Sequence, residues 1–247
     1  MSRPTIVLVH GAWHGAWCWD LVQAHLGSAG VDVVAVDLPG HGANHEPLAD
    51  LHGDAATVRS TLDSLDGPTV LVGHSYGGAV ITEAGAHDRV AHLVYIAAFN
   101  LAHGESVGDA AADEARAARI DHSGRPDLGA TLTSHDGGVS TTVAAELAGP
   151  VFYNDCAPEL AAWATARLGR QRMANFSDQP NAVAWQDRPS TYLICGDDNA
   201  VHPDLQRLLA RRAATSIEWT TGHSPFLSQP LQLSELLHDI ATRAATA

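Results

Sequence analysis

The stretch Thr69-Val70-Leu71-Val72-Gly73-His74-Ser75-Tyr76-Gly77-Gly78 decides the reading of this chain of 247 residues. Its first half is an apolar, β-branched run of the kind that forms a parallel strand buried on both faces. Its second half encloses a serine between glycines, and Ala79, Val80, Ile81 and Ala84 continue it as a helix packed closely behind the strand. Ser75 then sits on a sharp strand-to-helix turn that raises its side chain into a cleft. A Cβ at Gly73 or Gly77 would collide with the neighbouring strand or helix, so the G-x-S-x-G spacing has a steric cause.

A serine hydroxyl is scarcely ionised at neutral pH, and as a nucleophile it needs a base and a third group that orients the base. The chain holds 15 histidines, so position has to choose among them. Two late apolar segments end in suitable residues. Ser190-Thr191-Tyr192-Leu193-Ile194-Cys195 runs into Gly196-Asp197-Asp198, and Ser216-Ile217-Glu218-Trp219-Thr220 runs into Thr221-Gly222-His223-Ser224-Pro225. His223 is the candidate base. Asp197 and Asp198 both stand as candidate acids, because neighbours in an extended chain point to opposite sides.

Near the N-terminus, Thr5-Ile6-Val7-Leu8-Val9 enters His10-Gly11-Ala12-Trp13-His14-Gly15-Ala16-Trp17, a glycine-loosened loop that can aim backbone N–H groups at a developing oxyanion. His10, at the strand end, reads as a support of loop geometry. His10 and His14, like His41 and His45, have the spacing of helical metal ligands. Gly11, Gly15, Gly40 and Gly42 argue against the helix that such a site needs, and no phosphate-binding glycine pattern follows a strand. No metal or cofactor is expected.

Apolar periodicity alternates along the chain. Strands are expected at about 5–10, 32–37, 69–74, 92–97, 191–195 and 216–220, with helices at about 19–29, 55–65, 78–86, 203–214 and 231–242. This rhythm implies an α/β fold, a mostly parallel sheet of about six strands covered by helices on both faces. The interval from Phe99 to Arg188 breaks it. That interval carries a helical stretch at about 109–120, a hairpin-like segment at about 131–141, and apolar helices bearing Phe152, Leu160, Trp163 and Leu168. Because it follows the C-terminal end of the fourth strand, it is expected to be a helical cap, residues 100–185, inserted into a core of residues 1–99 and 186–247. Trp13, Phe99, Phe152, Trp163 and Phe226 are the candidate substrate-binding residues. Together they suit an apolar or aromatic substrate of modest size.

The formal net charge is −14, and all 14 basic residues are arginine. Nucleic-acid binding is therefore not expected. No apolar run is long enough for a membrane span and no signal-peptide pattern opens the chain, so a cytoplasmic protein without membrane association is expected. Cys18, Cys156 and Cys195 lie far apart and fit reduced thiols.

The whole chain resembles an α/β-hydrolase. Its ends resemble the branch that contains plant methylesterases, hydroxynitrile lyases and many bacterial esterases. The residues that carry this are Val9-His10-Gly11-Ala12-Trp13-His14-Gly15-Ala16-Trp17-Cys18-Trp19, Asp37-Leu38-Pro39-Gly40-His41-Gly42, the Ser75 segment, and Gly222-His223-Ser224-Pro225-Phe226-Leu227-Ser228-Gln229-Pro230. The first and last mark the branch, and the middle two mark the superfamily. The resemblance implies the order Ser75, Asp198, His223 for the catalytic residues, since the second acidic residue after the strand carries the role in the family pattern. It implies oxyanion donors on the backbone of Ala12 and Tyr76. It also implies an esterase acting on a small-molecule ester, with a homodimer left open. Two alternatives belong to the same resemblance. One is a C–C lyase like the hydroxynitrile lyases, which carry Thr and Lys where this chain has Gly11 and Ser224; the other is a slow-turnover hydrolase that signals ligand occupancy.

Overall fold

The computed structural model describes residues 4–117 and 126–245. The chain opens with β1 (Thr5–Val9), α1 (Asp20–Ser28), β2 (Val33–Val36), α2 (Leu51–Asp63), β3 (Thr69–His74), α3 (Gly77–Ala84) and β4 (Val90–Ile96). The long interval follows, with α4 (Val107–Ala117), β5 (Leu132–His135), β6 (Ser140–Val143), α5 (Ala145–Phe152), α6 (Pro158–Thr165) and β7 (Gln171–Arg172). The chain closes with β8 (Ser190–Cys195), α7 (Pro203–Ala210), β9 (Thr215–Trp219), α8 (Pro225–Ser228) and α9 (Pro230–Ala244).

Six strands form one sheet in the order β2-β1-β3-β4-β8-β9, and every adjacent pair is parallel. These are the six strands expected from the sequence. Every residue of β1, β3 and β8 is buried, so the sheet is covered on both faces. Helices α1 and α9 pack on each other, as do α2 and α3. After β1 the chain steps outward to β2 and returns on the other side of β1 to form β3. That reversal opens a crevice at the C-terminal ends of the strands.

Two helix ends differ by four residues from the sequence reading. Helix α2 begins at Leu51 because the Asp50 carboxylate accepts the Gly53 N–H at 2.8 Å and caps it. Helix α7 stops at Ala210, before the tight turns that lead into β9. The expected helix at 109–120 runs in the structure from Val107 to Ala117; its last three residues lie outside the described ones.

The interval between β4 and β8 is not wholly helical. It holds a three-stranded antiparallel sheet, β5-β6-β7. The β5–β6 hairpin was legible as alternating threonines around Asp136-Gly137-Gly138, whereas β7 is two residues long and leaves no periodic trace.

Candidate active site

Ser75 occupies the turn between β3 and α3 with φ at 52°, a left-handed conformation that costs a non-glycine residue energy. The surroundings hold it there. Its N–H donates to the Ile96 carbonyl at 3.1 Å, and its carbonyl accepts from Gly78 and Phe99. A Cβ on Gly73 would lie 2.5 Å from the Gly77 carbonyl oxygen, and one on Gly77 would lie 2.6 Å from that of His10. The glycines are thus fixed by the close approach of α3 to β1 and β3.

His223 follows β9, and its Nδ1–H donates to Asp198 Oδ2 at 2.7 Å. Both side chains are buried. Asp198 is well supplied with donors: Oδ1 accepts from the N–H of Ala200 and of Val201, and Oδ2 also accepts from Gln206 Nε2 at 2.8 Å. Such a network holds the carboxylate in one orientation. Asp197 instead gives its N–H to the Thr221 carbonyl and accepts Asn154 Nδ2 on its own carbonyl. Of the two adjacent acids, Asp198 is the one the fold brings to His223.

Histidines surround this pair in structural roles. His74 donates Nε2–H to the His223 carbonyl at 2.9 Å. His10 donates Nδ1–H to the Gly11 carbonyl, and its Nε2 accepts the Leu38 N–H. His14 donates Nδ1–H to the Ala12 carbonyl, and its Nε2 accepts the Tyr153 hydroxyl at 2.9 Å. Burial drives all three toward the neutral form, holding His10 and His74 well below the usual histidine value and His14 at about 3.

Ser75 and His223 open onto one cavity of about 300 Å³, bordered also by Ala12 and Tyr76. Neither backbone N–H of Ala12 nor of Tyr76 has a hydrogen-bond partner among the described residues. The cavity walls are apolar. Trp13, Phe99 and Phe152 line it, together with Phe176, Val201 and Leu205. Trp13 is held at φ 62° by its indole N–H on Thr141 Oγ1 and by the Gly169 N–H on its carbonyl.

The substrate-binding expectation fails for Trp163 and Phe226, which do not line the cavity. Helix α6 turns Trp163 outward, where its ring meets Trp17 edge-on and Arg167 stacks over it. Phe226 lies behind the site, packed on His74 and Trp19. Sequence reasoning in turn missed Phe176, whose segment Met173-Ala174-Asn175-Phe176 is a short 3₁₀ turn without periodicity. It also missed the polar cluster around the Tyr76 hydroxyl. That hydroxyl donates to Asp54 Oδ2 at 2.6 Å, and Asn175 Nδ2 bridges both. Burial pushes the Asp54 carboxyl up to about 7.

A serine on a strained elbow, a buried His–Asp pair and an apolar cavity at the carboxyl ends of a parallel sheet define the class. Residues 6–236 match the model of the alpha/beta hydrolase family, and the chain belongs to that family. Among its relatives, methylesterase 7 of Arabidopsis thaliana is 30% identical over 99% of this chain and 98% of its own. A carbendazim hydrolyzing esterase of Nocardioides is 42% identical over a shorter match, 41% of this chain and 44% of that protein. The solved pyrethroid hydrolase of Sphingobium faniae superposes with a TM-score of 0.83 at 25% identity, covering 100% of both chains. Among the described residues, no helix is long and apolar enough to cross a membrane.

Proposed function

We propose that this protein is a serine hydrolase that cleaves carboxylic esters of small to medium apolar or aromatic substrates through an acyl-enzyme. Ser75 attacks the ester carbonyl while His223, through Nε2, takes the hydroxyl proton and passes it to the leaving alcohol. Asp198 fixes the tautomer of His223 and stabilises the imidazolium that forms. The N–H groups of Ala12 and Tyr76 hold the oxyanion. Water then enters, activated by the same histidine, and releases the acid. Residues 100–185 serve as the cap that closes the apolar pocket over this chemistry.

The observation that carries the reading is the 2.7 Å bond from His223 Nδ1 to Asp198. It commits one ring nitrogen to the acid, so the other is the base on a residue that shares its cavity with Ser75. The ester as the bond cleaved draws support from the printed activities of the relatives, methylesterase and carbendazim hydrolyzing esterase. The cavity of about 300 Å³ suits a ligand at the small end of the usual pocket range.

A lyase reading would want a threonine at position 11. A Cβ there would lie 2.9 Å from Ser75 Cβ and 2.9 Å from His74 Nδ1, so the site has no room for that side chain. Hydrolysis of p-nitrophenyl and methyl esters of graded acyl size tests the proposal. Turnover on at least one series is expected. Turnover slower than about one per minute on every ester would favour the slow, signalling type of hydrolase instead.

A further inference from the structure

Four consecutive residues at the end of α5 each touch a different part of the site. Phe152 lines the cavity, and its ring centroid lies 5.7 Å from that of His223. The Tyr153 hydroxyl donates to His14, whose other nitrogen holds the carbonyl of Ala12. Asn154 Nδ2 donates to the carbonyl of Asp197, the residue before Asp198. Asp155 Oδ2 accepts both the Thr221 hydroxyl at 2.8 Å and the Gly222 N–H at 2.7 Å, one residue before His223. In the reverse direction, Asn199 Nδ2 donates to the Pro150 carbonyl at the same end of α5.

We propose, resting on the ester-hydrolase reading above, that Phe152–Asp155 is a strap of the cap that positions the acid–base pair, with Asp155 as the positioning residue for His223. The geometry explains why the cap turn has this composition. The loops carrying Asp198 and His223 leave adjacent strands, β8 and β9, whose backbone ladder ends with the Asp197 N–H on the Thr221 carbonyl, and past that bond the ladder no longer fixes one loop tip against the other. The strap does so from above, through side chains that bind the backbone next to each functional residue. Asp155 suits the task because a carboxylate accepting one backbone N–H and one hydroxyl on a single oxygen makes charge-assisted bonds at fixed angles. Residues 152 to 155 also tie the pocket wall to the machinery: a ligand that seats against Phe152 presses on the element that holds both loops. The strap therefore links occupancy of the apolar pocket to the alignment of His223, the arrangement by which remote binding energy is expressed in kcat rather than in KM.

Asp155 is exposed and touches neither substrate nor the reacting atoms, so its removal separates positioning from catalysis. The test compares wild type, Asp155→Ala and Asp155→Asn on p-nitrophenyl acetate. The concentration of active sites is taken from the fraction of protein labelled by a fluorophosphonate at saturation. For Asp155→Ala the expected result is a kcat at least about tenfold lower with KM within about twofold, because misplacement of a base by an ångström costs that order of rate. The rate of Ser75 phosphonylation falls by a similar factor. Asp155→Asn, whose amide oxygen can still accept the Gly222 N–H, restores kcat to within about threefold of wild type. Amide hydrogen exchange at Gly222 and His223 supplies a readout that needs no turnover: it accelerates in Asp155→Ala and returns in Asp155→Asn. A kcat for Asp155→Ala within about twofold of wild type per labelled site would overturn the proposal, as would unchanged exchange at Gly222. If wild type itself neither turns over esters nor takes the label, the ester-hydrolase reading falls, and exchange alone decides whether the strap holds the loop.

Discussion

His74, the residue immediately before Ser75, donates its Nε2–H to the carbonyl of His223 at 2.9 Å. The strand that leads to Ser75 and the loop that carries His223 are thereby joined by a hydrogen bond between buried groups, and the centroids of the two rings lie 4.5 Å apart. Burial and the proximity of His223 keep His74 neutral, so the bond survives the moment when His223 carries a proton.

Replacing His74 by leucine removes this donor and leaves a buried carbonyl unpaired. The expected outcome is a loss of stability of about 1 to 3 kcal/mol, with kcat falling by roughly ten- to a hundredfold while KM holds. Steady-state kinetics beside urea unfolding check both numbers.

The two adjacent acids separate sharply. Asp198→Asn disrupts the orientation of His223, and kcat is expected to fall by about three to four orders of magnitude. Asp197→Asn leaves the backbone contacts of Asp197 intact and should cost less than about tenfold. Parallel kcat measurements on purified, folded variants decide the assignment.

Pocket shape is read from selectivity. Enlarging the wall by Phe176→Ala should change the ratio of kcat/KM between bulky aromatic and acetyl esters by about 1 to 3 kcal/mol. Trp163→Ala lies outside the cavity and should leave that ratio unchanged. The same ester series measures both.

Stability depends on pH through the buried histidines. His10, His14 and His74 are neutral in the fold well below their ordinary value of 6.5, whereas the unfolded chain protonates them at that value. Their contribution is present above pH 6.5 and is lost as pH falls below it, at about 1.4 kcal/mol per pH unit for each. Asp54 acts in the opposite sense. Its folded value near 7 lies above its ordinary 3.8, so the stability it brings is present below pH 3.8 and lost as pH rises through 7. Burial lowers His41 and His92 as well, so the histidines outweigh the one carboxyl, unfolding takes up protons on balance between pH 4 and 6, and stability falls on acidification. Urea unfolding at pH 6, 5.5 and 5 measures the slope. Asp54→Asn should steepen it by about one proton.

Most of the sheet was legible because burial on both faces forces continuous β-branched runs, and β1, β3 and β8 are such runs. Ser75 and His223 were legible because the steric demands of an elbow and of a strand-end loop leave glycines beside them. The choice of Asp198 over Asp197 needed the family pattern, since two neighbouring acids look alike until a third element, Gln206 of α7, is seen to hold one of them. The pocket walls were legible only in part. Trp163 and Phe226 have the composition of pocket residues, but which way a cap helix turns its aromatic ring depends on packing that a single sequence does not display. Asp54 and Asn175, far apart in the chain, meet under Tyr76 and left no local signal.

Reaction with a fluorophosphonate, followed by mass spectrometric location of the adduct, tests the central claim most directly. One adduct per chain on Ser75 is expected, formed at least about a thousandfold more slowly in His223→Ala and blocked by a hydrolysed ester in excess. An adduct on another residue, or labelling of Ser75 that is indifferent to the loss of His223, would contradict the account.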